Sequence, residues 1–204
     1  MDDLSRVAAE VRACTLCGLS AGRKNAVPGE GPSRAEVMLI GEGPGFHEDQ
    51  QGRPFVGPSG QFLTELLASA GYRREDVFIT NVVKCRPPGN RDPLPEEIQA
   101  CSRYLDRQIA LINPKVIITL GRFSMAKWFP GQKISAIHGK AKRIDGRVVV
   151  AMFHPAAALH QQSLRSLIEE DFRRLPEIVK SAQPEEERPA SKPSDGAGEQ
   201  LSLF

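Results

Sequence analysis

Apolar residues gather in four runs along the chain, over residues 36–40, 77–83, 116–120 and 148–153. Each run is rich in Val and Ile and none alternates with polar residues. Such near-continuous runs predict strands covered on both faces, as in a parallel sheet. Between them the apolar spacing becomes helical. Phe62, Leu63, Leu66 and Leu67 share one side of a predicted helix that Ser59 caps and Gly71 stops. Pro95, followed by Glu96 and Glu97, opens a second helix that runs to Asn113 and Pro114. A shorter helix is predicted over 121–129. Leu164, Leu167, Ile168 and Phe172 place a last one over 163–180. Strands alternating with helices predict a three-layer α/β/α sandwich around a mostly parallel central sheet.

The pattern stops near Lys180. Residues 181–198 are dominated by Pro, Glu, Ser, Gly and Ala. Such a segment buries too little apolar surface to offset its ordering entropy, so it is predicted to be disordered. The chain thus divides into one domain, 1–180, and an acidic tail, 181–204. The division also exposes a charge asymmetry. The net charge is +2, but the tail holds five acidic and two basic side chains, which leaves +5 on residues 1–180. A mildly basic body suits a polyanionic partner without demanding one. At 204 residues and 40% hydrophobic, the chain is sized for a single soluble core. No apolar run is long enough to span a membrane. The start, Met1-Asp2-Asp3-Leu4, is acidic and lacks the apolar core of a signal peptide. A cytoplasmic monomer is expected.

Open α/β sheets build their sites beyond the carboxyl ends of the strands. Here the first strand leads into Gly41-Glu42-Gly43-Pro44-Gly45. The second passes through Thr80-Asn81 to Lys84-Cys85-Arg86-Pro87-Pro88-Gly89-Asn90, and the last meets His154-Pro155. Polar, glycine- and proline-rich residues therefore converge where a pocket is expected. The chain has four cysteines: Cys14 and Cys17 as a C-x2-C pair, Cys85 after the second strand, and Cys101 in the helix that follows. Cytosolic thiols stay reduced, so the set points to a metal centre rather than to disulfides. Four thiolates suit either zinc or an iron–sulfur cluster, and spacing alone leaves both open.

The phrase from Gly41 to Asp49, followed by Gly52-Arg53-Pro54-Phe55-Val56-Gly57, resembles the first motif of the family 4 uracil-DNA glycosylases. Residues 80–88 resemble the family's second-strand motif, and His154-Pro155-Ala156-Ala157 its last. The resemblance runs from about Cys14 to about Arg174. It is distinguished from family 5 by Glu42, which an alanine-rich first motif would lack. No basic, histidine-bearing insertion follows the second strand, unlike in the subclass that traps its product covalently. Family 1 enzymes lack the four cysteines.

The resemblance implies a DNA repair enzyme that flips uracil out of DNA and hydrolyses its N-glycosidic bond. It implies a 4Fe–4S cluster on Cys14, Cys17, Cys85 and Cys101. Phe55 would stack on the base. Asn81 would read the uracil edge with one donor and one acceptor, a pattern that cytosine inverts. His154 would donate to uracil O2 as negative charge develops there. Glu42 and Glu48 are the acidic catalytic candidates, and the sequence leaves open which of them orients the attacking water: Glu42, with the Gly43 backbone, would lie beside that water, and Glu48 near uracil C5, where bulk excludes the methyl group of thymine. DNA contacts are expected from Arg86 and Arg91 and from a basic stretch holding Lys133, His138, Lys140, Lys142, Arg143 and Arg147. Leu159 follows three alanines in the loop expected to enter the minor groove.

Two further readings fit parts of this pattern: a DNA-binding module without catalysis, and a zinc-stabilised hydrolase of another nucleotide. Excision from a uracil oligonucleotide separates out the first, and absorbance near 400 nm the second. Finally, Gln200-Leu201-Ser202-Leu203-Phe204 resembles the short peptide with which bacterial replication and repair proteins dock on the β sliding clamp. Leu201, Leu203 and Phe204 would fill an apolar pocket, and Gln200 would anchor the upstream edge.

Overall fold

Each apolar run becomes a strand: β1 (Val37–Gly41), β2 (Phe78–Asn81), β3 (Val116–Leu120) and β5 (Arg147–Met152). The structure, a computed structural model, describes residues 3–181. The tail peptide and most of the acidic segment lie outside these described residues. The four strands run parallel, and β4 (Lys140–Ile144) adds an antiparallel edge to give the order β2-β1-β3-β5-β4.

Strand β4 is an element the apolar pattern does not predict, since its sequence, Lys-Ala-Lys-Arg-Ile, reads only as a basic stretch. Edge strands carry charge precisely where pairing must stop, so polarity does not exclude a strand there. A turn signal was present. Asp145 and Gly146 take φ of 49° and 77° between β4 and β5, the geometry of a two-residue hairpin that Asp-Gly favours.

Alternate strand residues feed two cores. Leu39, Ile118, Val150 and Met152 face α4 (Pro58–Ser69), α8 (Ala156–His160), α9 (Arg165–Arg173) and α10 (Leu175–Ser181). Met38, Ile40, Ile117 and Val149 face α1 (Leu4–Ala13), α2 (Leu19–Gly22) and α5 (Pro95–Ile112). This is the expected three-layer sandwich. The remaining short helices, α3 (Phe46–Gln51), α6 (Arg122–Met125) and α7 (Ile134–Ile137), sit in loops.

Several boundaries differ from the sequence reading for local reasons. The α4 helix is capped by Gly57, not Ser59, because Pro58 takes the first helical position, where its missing N–H costs nothing. The helix expected over 163–180 breaks into α9 and α10, since Pro176 cannot donate a helical hydrogen bond. The loop expected after Pro155 is the helix α8. The α5 helix ends where expected, with Asn113 in the left-handed region. Among the described residues, no helix is long and apolar enough to cross a membrane.

Candidate active site

A cavity of about 460 Å³ opens beyond the carboxyl ends of β1, β2 and β5, lined by Glu42, Gly43, Glu48, Phe55, Asn81 and His154 among others. All six pocket residues singled out from sequence therefore meet in one place. Strand β1 is flanked by β2 on one side and β3 on the other, so the cavity sits where the chain reverses its winding.

Glycines make room for the larger side chains. A Cβ on Gly41 would lie 2.4 Å from Asn81 Oδ1 and 2.6 Å from Phe55 Cζ. A Cβ on Gly60 would lie 1.9 Å from the Phe55 carbonyl oxygen. Phe55 itself holds φ at 50°, a strained value for a residue with a side chain. The strain is sustained by Glu48. Its Oε1 accepts the Val56 and Gly57 N–H groups at 2.8 and 2.9 Å, and its Oε2 accepts the Gly45 N–H at 3.1 Å. Glu48 thus straps the glycine-rich turn after β1 to the Phe55 loop. Three backbone amides occupy the Glu48 carboxylate, so this side chain holds the pocket wall in place.

Asn81 is buried at the end of β2, and its Oδ1 has no hydrogen-bond partner among the described residues. A buried acceptor left unpaired costs about 1–3 kcal/mol, so the site is built for a donor from a ligand. The main chain of Asn81 is held from behind. The ammonium of Lys84, fully buried, donates to the Asn81 carbonyl at 2.7 Å, to Thr80 Oγ1 at 2.6 Å and to Gln108 Oε1 at 2.7 Å. Burial lowers its pKa to about 8.

His154 stacks offset against Phe55, with centroids 5.4 Å apart and planes at 26°. Its Nδ1 accepts the Ala156 N–H at 3.1 Å. Burial pulls its pKa down to about 4, against an opposing pull from Glu48. Near neutral pH the imidazole is therefore uncharged, and with Nδ1 occupied as an acceptor its one proton sits on Nε2. Glu42 is half-buried, and burial pushes its carboxyl above the usual range, reinforced by Asp92 and opposed by Arg122. Asp92 lines the cavity and pairs with Arg122. Sequence reasoning missed it, since no motif marks an exposed loop aspartate.

The four cysteines also come together, lining one small cavity between α1, α2 and α5. Among the described residues, no group of three or more His, Cys, Asp or Glu side chains is close enough to hold a metal ion. The cysteines share a cavity without forming a single-ion cage. In a cubane cluster each thiolate binds its own iron, so convergence on one point is not required. The surroundings fit four thiolates. Arg23 Nη1 donates to Cys85 Sγ at 3.1 Å, and the Lys84 N–H donates to Cys101 Sγ at 3.3 Å. Burial pushes the Cys101 thiol up to about 11, and a metal centre held by the four cysteines would supply positive charge that favours its thiolate.

The expected DNA contacts lie at different distances from the pocket. Arg86 and Leu159 border the cavity: Arg86 Nε donates to Asn90, which lines it, and Leu159 is 49% exposed on α8 between two lining residues. Lys140 pairs with Ala151 near the carboxyl end of β5, on the pocket's side of the sheet. Lys142 and Arg143 pair with Val149 and Val148 toward the far end, where Arg147 also donates to Asn113. The structure does not bring these three to the pocket, because an antiparallel strand carries its successive residues away from it. Arg91 lines the cavity itself while gripping Glu97 through both terminal amines, at 2.9 and 2.7 Å, and His138 contacts Asp171 at 2.7 Å. Lys133 lies exposed just ahead of α7.

Fold and site together define a class: a doubly wound α/β/α protein with a polar pocket beyond the carboxyl ends of its parallel strands. Residues 28–175 match the family model described as the uracil DNA glycosylase superfamily. A type-4 uracil-DNA glycosylase of Saccharolobus solfataricus is 51% identical over 191 residues, covering 89% of this chain and 88% of that protein. The type-4 enzyme of Archaeoglobus fulgidus is 45% identical, covering 90% and 97%, and that of Thermotoga maritima is 44% identical, covering 88% and 96%. The chain belongs to the uracil DNA glycosylase superfamily, within its type-4 branch.

Proposed function

We propose that this chain starts base excision repair by flipping uracil out of DNA and hydrolysing its N-glycosidic bond, leaving an abasic site. The observation that carries the reading is the buried, unpartnered Oδ1 of Asn81. It accepts uracil N3–H while the Asn81 amide donates to O4. Cytosine presents an acceptor and a donor in those places, so it meets repulsion at both. Phe55 supplies an aromatic surface for the base, fixed by the Glu48 strap. Glu48, in the same wall, would stand near uracil C5, where its bulk excludes a thymine methyl.

As the bond breaks, electrons move onto the uracil and a cation develops on the sugar. His154 Nε2–H donates to uracil O2, where it stabilises the leaving anion without first gaining a proton. The Glu42 carboxylate, with the Gly43 backbone, orients water on the opposite side and offsets the sugar's positive charge. The test is incubation with an oligonucleotide carrying one uracil, followed by alkali. Strand cleavage at that position is expected, whereas an intact strand leaves a binding module.

A 4Fe–4S cluster held by Cys14, Cys17, Cys85 and Cys101 completes the reading, in preference to zinc. When bound, such a cluster supplies folding free energy and ties α1 to α5. A shoulder near 400 nm with matching iron content is expected of the purified protein.

The second partner is the β sliding clamp, engaged by Gln200, Leu201, Leu203 and Phe204. These residues lie outside the described ones, so the sequence alone supports this reading. Tethering would raise the enzyme's effective concentration at newly made DNA. Deleting residues 200–204 should abolish clamp binding in a titration and leave excision on short oligonucleotides unchanged. Equal clamp binding by both proteins would refute it.

A further inference from the structure

Phe46 is out of place for a core residue: it begins α3 beside the cavity and is 51% exposed. It is not loose. The Arg86 guanidinium lies over its ring, 5.2 Å from the centroid, and His47 meets it edge-on at 5.5 Å and 83°. Arg86 is itself anchored, since its Nε donates to Asn90 Oδ1 at 2.7 Å. Both ends of this aromatic–cation pair reach the cavity rim, because Gly45 precedes Phe46 and both Gly45 and Asn90 line the pocket. Among the described residues, no carboxylate pairs with Arg86, and its terminal amines make no hydrogen bond. Arg91, five residues on, is by contrast saturated by Glu97.

The geometry points to a second base-binding subsite: the Phe46–Arg86 shelf stacks the nucleobase adjoining the flipped uracil, while the Arg86 amines take the phosphate between the two nucleotides. The inference rests on the uracil reading for its substrate. Extracting one base from a strand leaves its neighbour with an uncovered face, and that face needs a flat apolar surface. An exposed phenyl ring backed by a guanidinium offers it, together with positive charge for the backbone. Leu159, exposed on α8, has apolar bulk but no cation or aromatic face, which suits it to filling a gap rather than to stacking. Phe46 makes no contact with the reacting atoms, so it acts by positioning the strand.

The test is a cycle between protein and DNA. The probe is a single-stranded oligonucleotide with one 2′-deoxy-2′-fluorouridine, whose sugar fluorine makes it resist excision, and with the base removed from either flanking nucleotide in turn. Phe46→Ala should weaken binding of the intact probe about tenfold. Removing the stacked base should weaken wild-type binding by a similar factor, while the variant should lose little more from that removal. Phe46→Trp should restore binding and the coupling. On excisable uracil DNA, Phe46→Ala should raise KM and leave kcat within about twofold. The proposal is overturned if losses from variant and base removal multiply at both flanks, or if kcat falls while KM holds. A wild type that binds with this coupling yet excises no uracil would defeat the glycosylase reading and leave the shelf standing.

Discussion

At the scale of single residues, the site works by leaving some groups unpaired and fully occupying others. Asn81 Oδ1 is unpaired and awaits a donor. Asn81→Asp should therefore cut uracil kcat/KM at least about 100-fold and narrow the preference over cytosine, measured with paired oligonucleotides. Wild-type excision of uracil by the variant would remove Asn81 as the reader. His154 and Glu42 set the pH response in opposite ways. With its pKa down at about 4, His154 stays neutral through mildly acid solution and adds no titration there. Glu42 has its pKa raised, so its ionised form is lost as pH falls through a value above 4.5. The single-turnover rate should therefore be flat near neutrality and fall on the acid side, and Glu42→Gln should be slower but lack that acid limb. An unchanged limb in the variant would assign it elsewhere. Asn81, Phe55, Glu42 and His154 were legible in the sequence because they stand at strand ends or in a marked motif. The role of Glu48 was not, since the amides it holds lie up to nine residues away.

At the scale of elements, the Phe55 loop is held between α3 and α4 by contacts that tolerate no extra atom. A methyl group at residue 60 would strike the Phe55 carbonyl at 1.9 Å. Gly60→Ala should cost about 2–3 kcal/mol and lower Tm by roughly 4–12 °C. Uracil binding should weaken with it, while the cysteine cavity on the other face stays intact. Calorimetry showing an unchanged Tm would contradict the strap geometry. The parallel strands were readable from their apolar runs. Strand β4 and helix α1 were not, for a common reason: each buries little. Within α1 only Val7 and Val11 are buried, and within β4 no residue is. A periodicity carried by two side chains does not rise above the background of a charged sequence.

Across the whole molecule, the pocket lies beyond the strand ends, and the cysteine cavity lies against one face of the sheet. Cys85→Ala should remove the iron and lower thermal stability, with the pocket's chemistry affected only through folding. Full iron content and normal melting in the variant would sink the four-cysteine assignment. The α/β/α architecture followed from strand–helix alternation, but the meeting of Lys84, Thr80 and Gln108 required the fold. That meeting constrains how such a chain can drift over generations. Replacing Lys84 alone strands Thr80, Gln108 and the Asn81 carbonyl without their shared donor. Replacing Gln108 alone leaves a buried ammonium short of a partner 24 positions distant. Neither single step leads anywhere viable, so positions 80, 84 and 108 should be inherited as a block, and a comparison of many relatives should find them changing together or not at all.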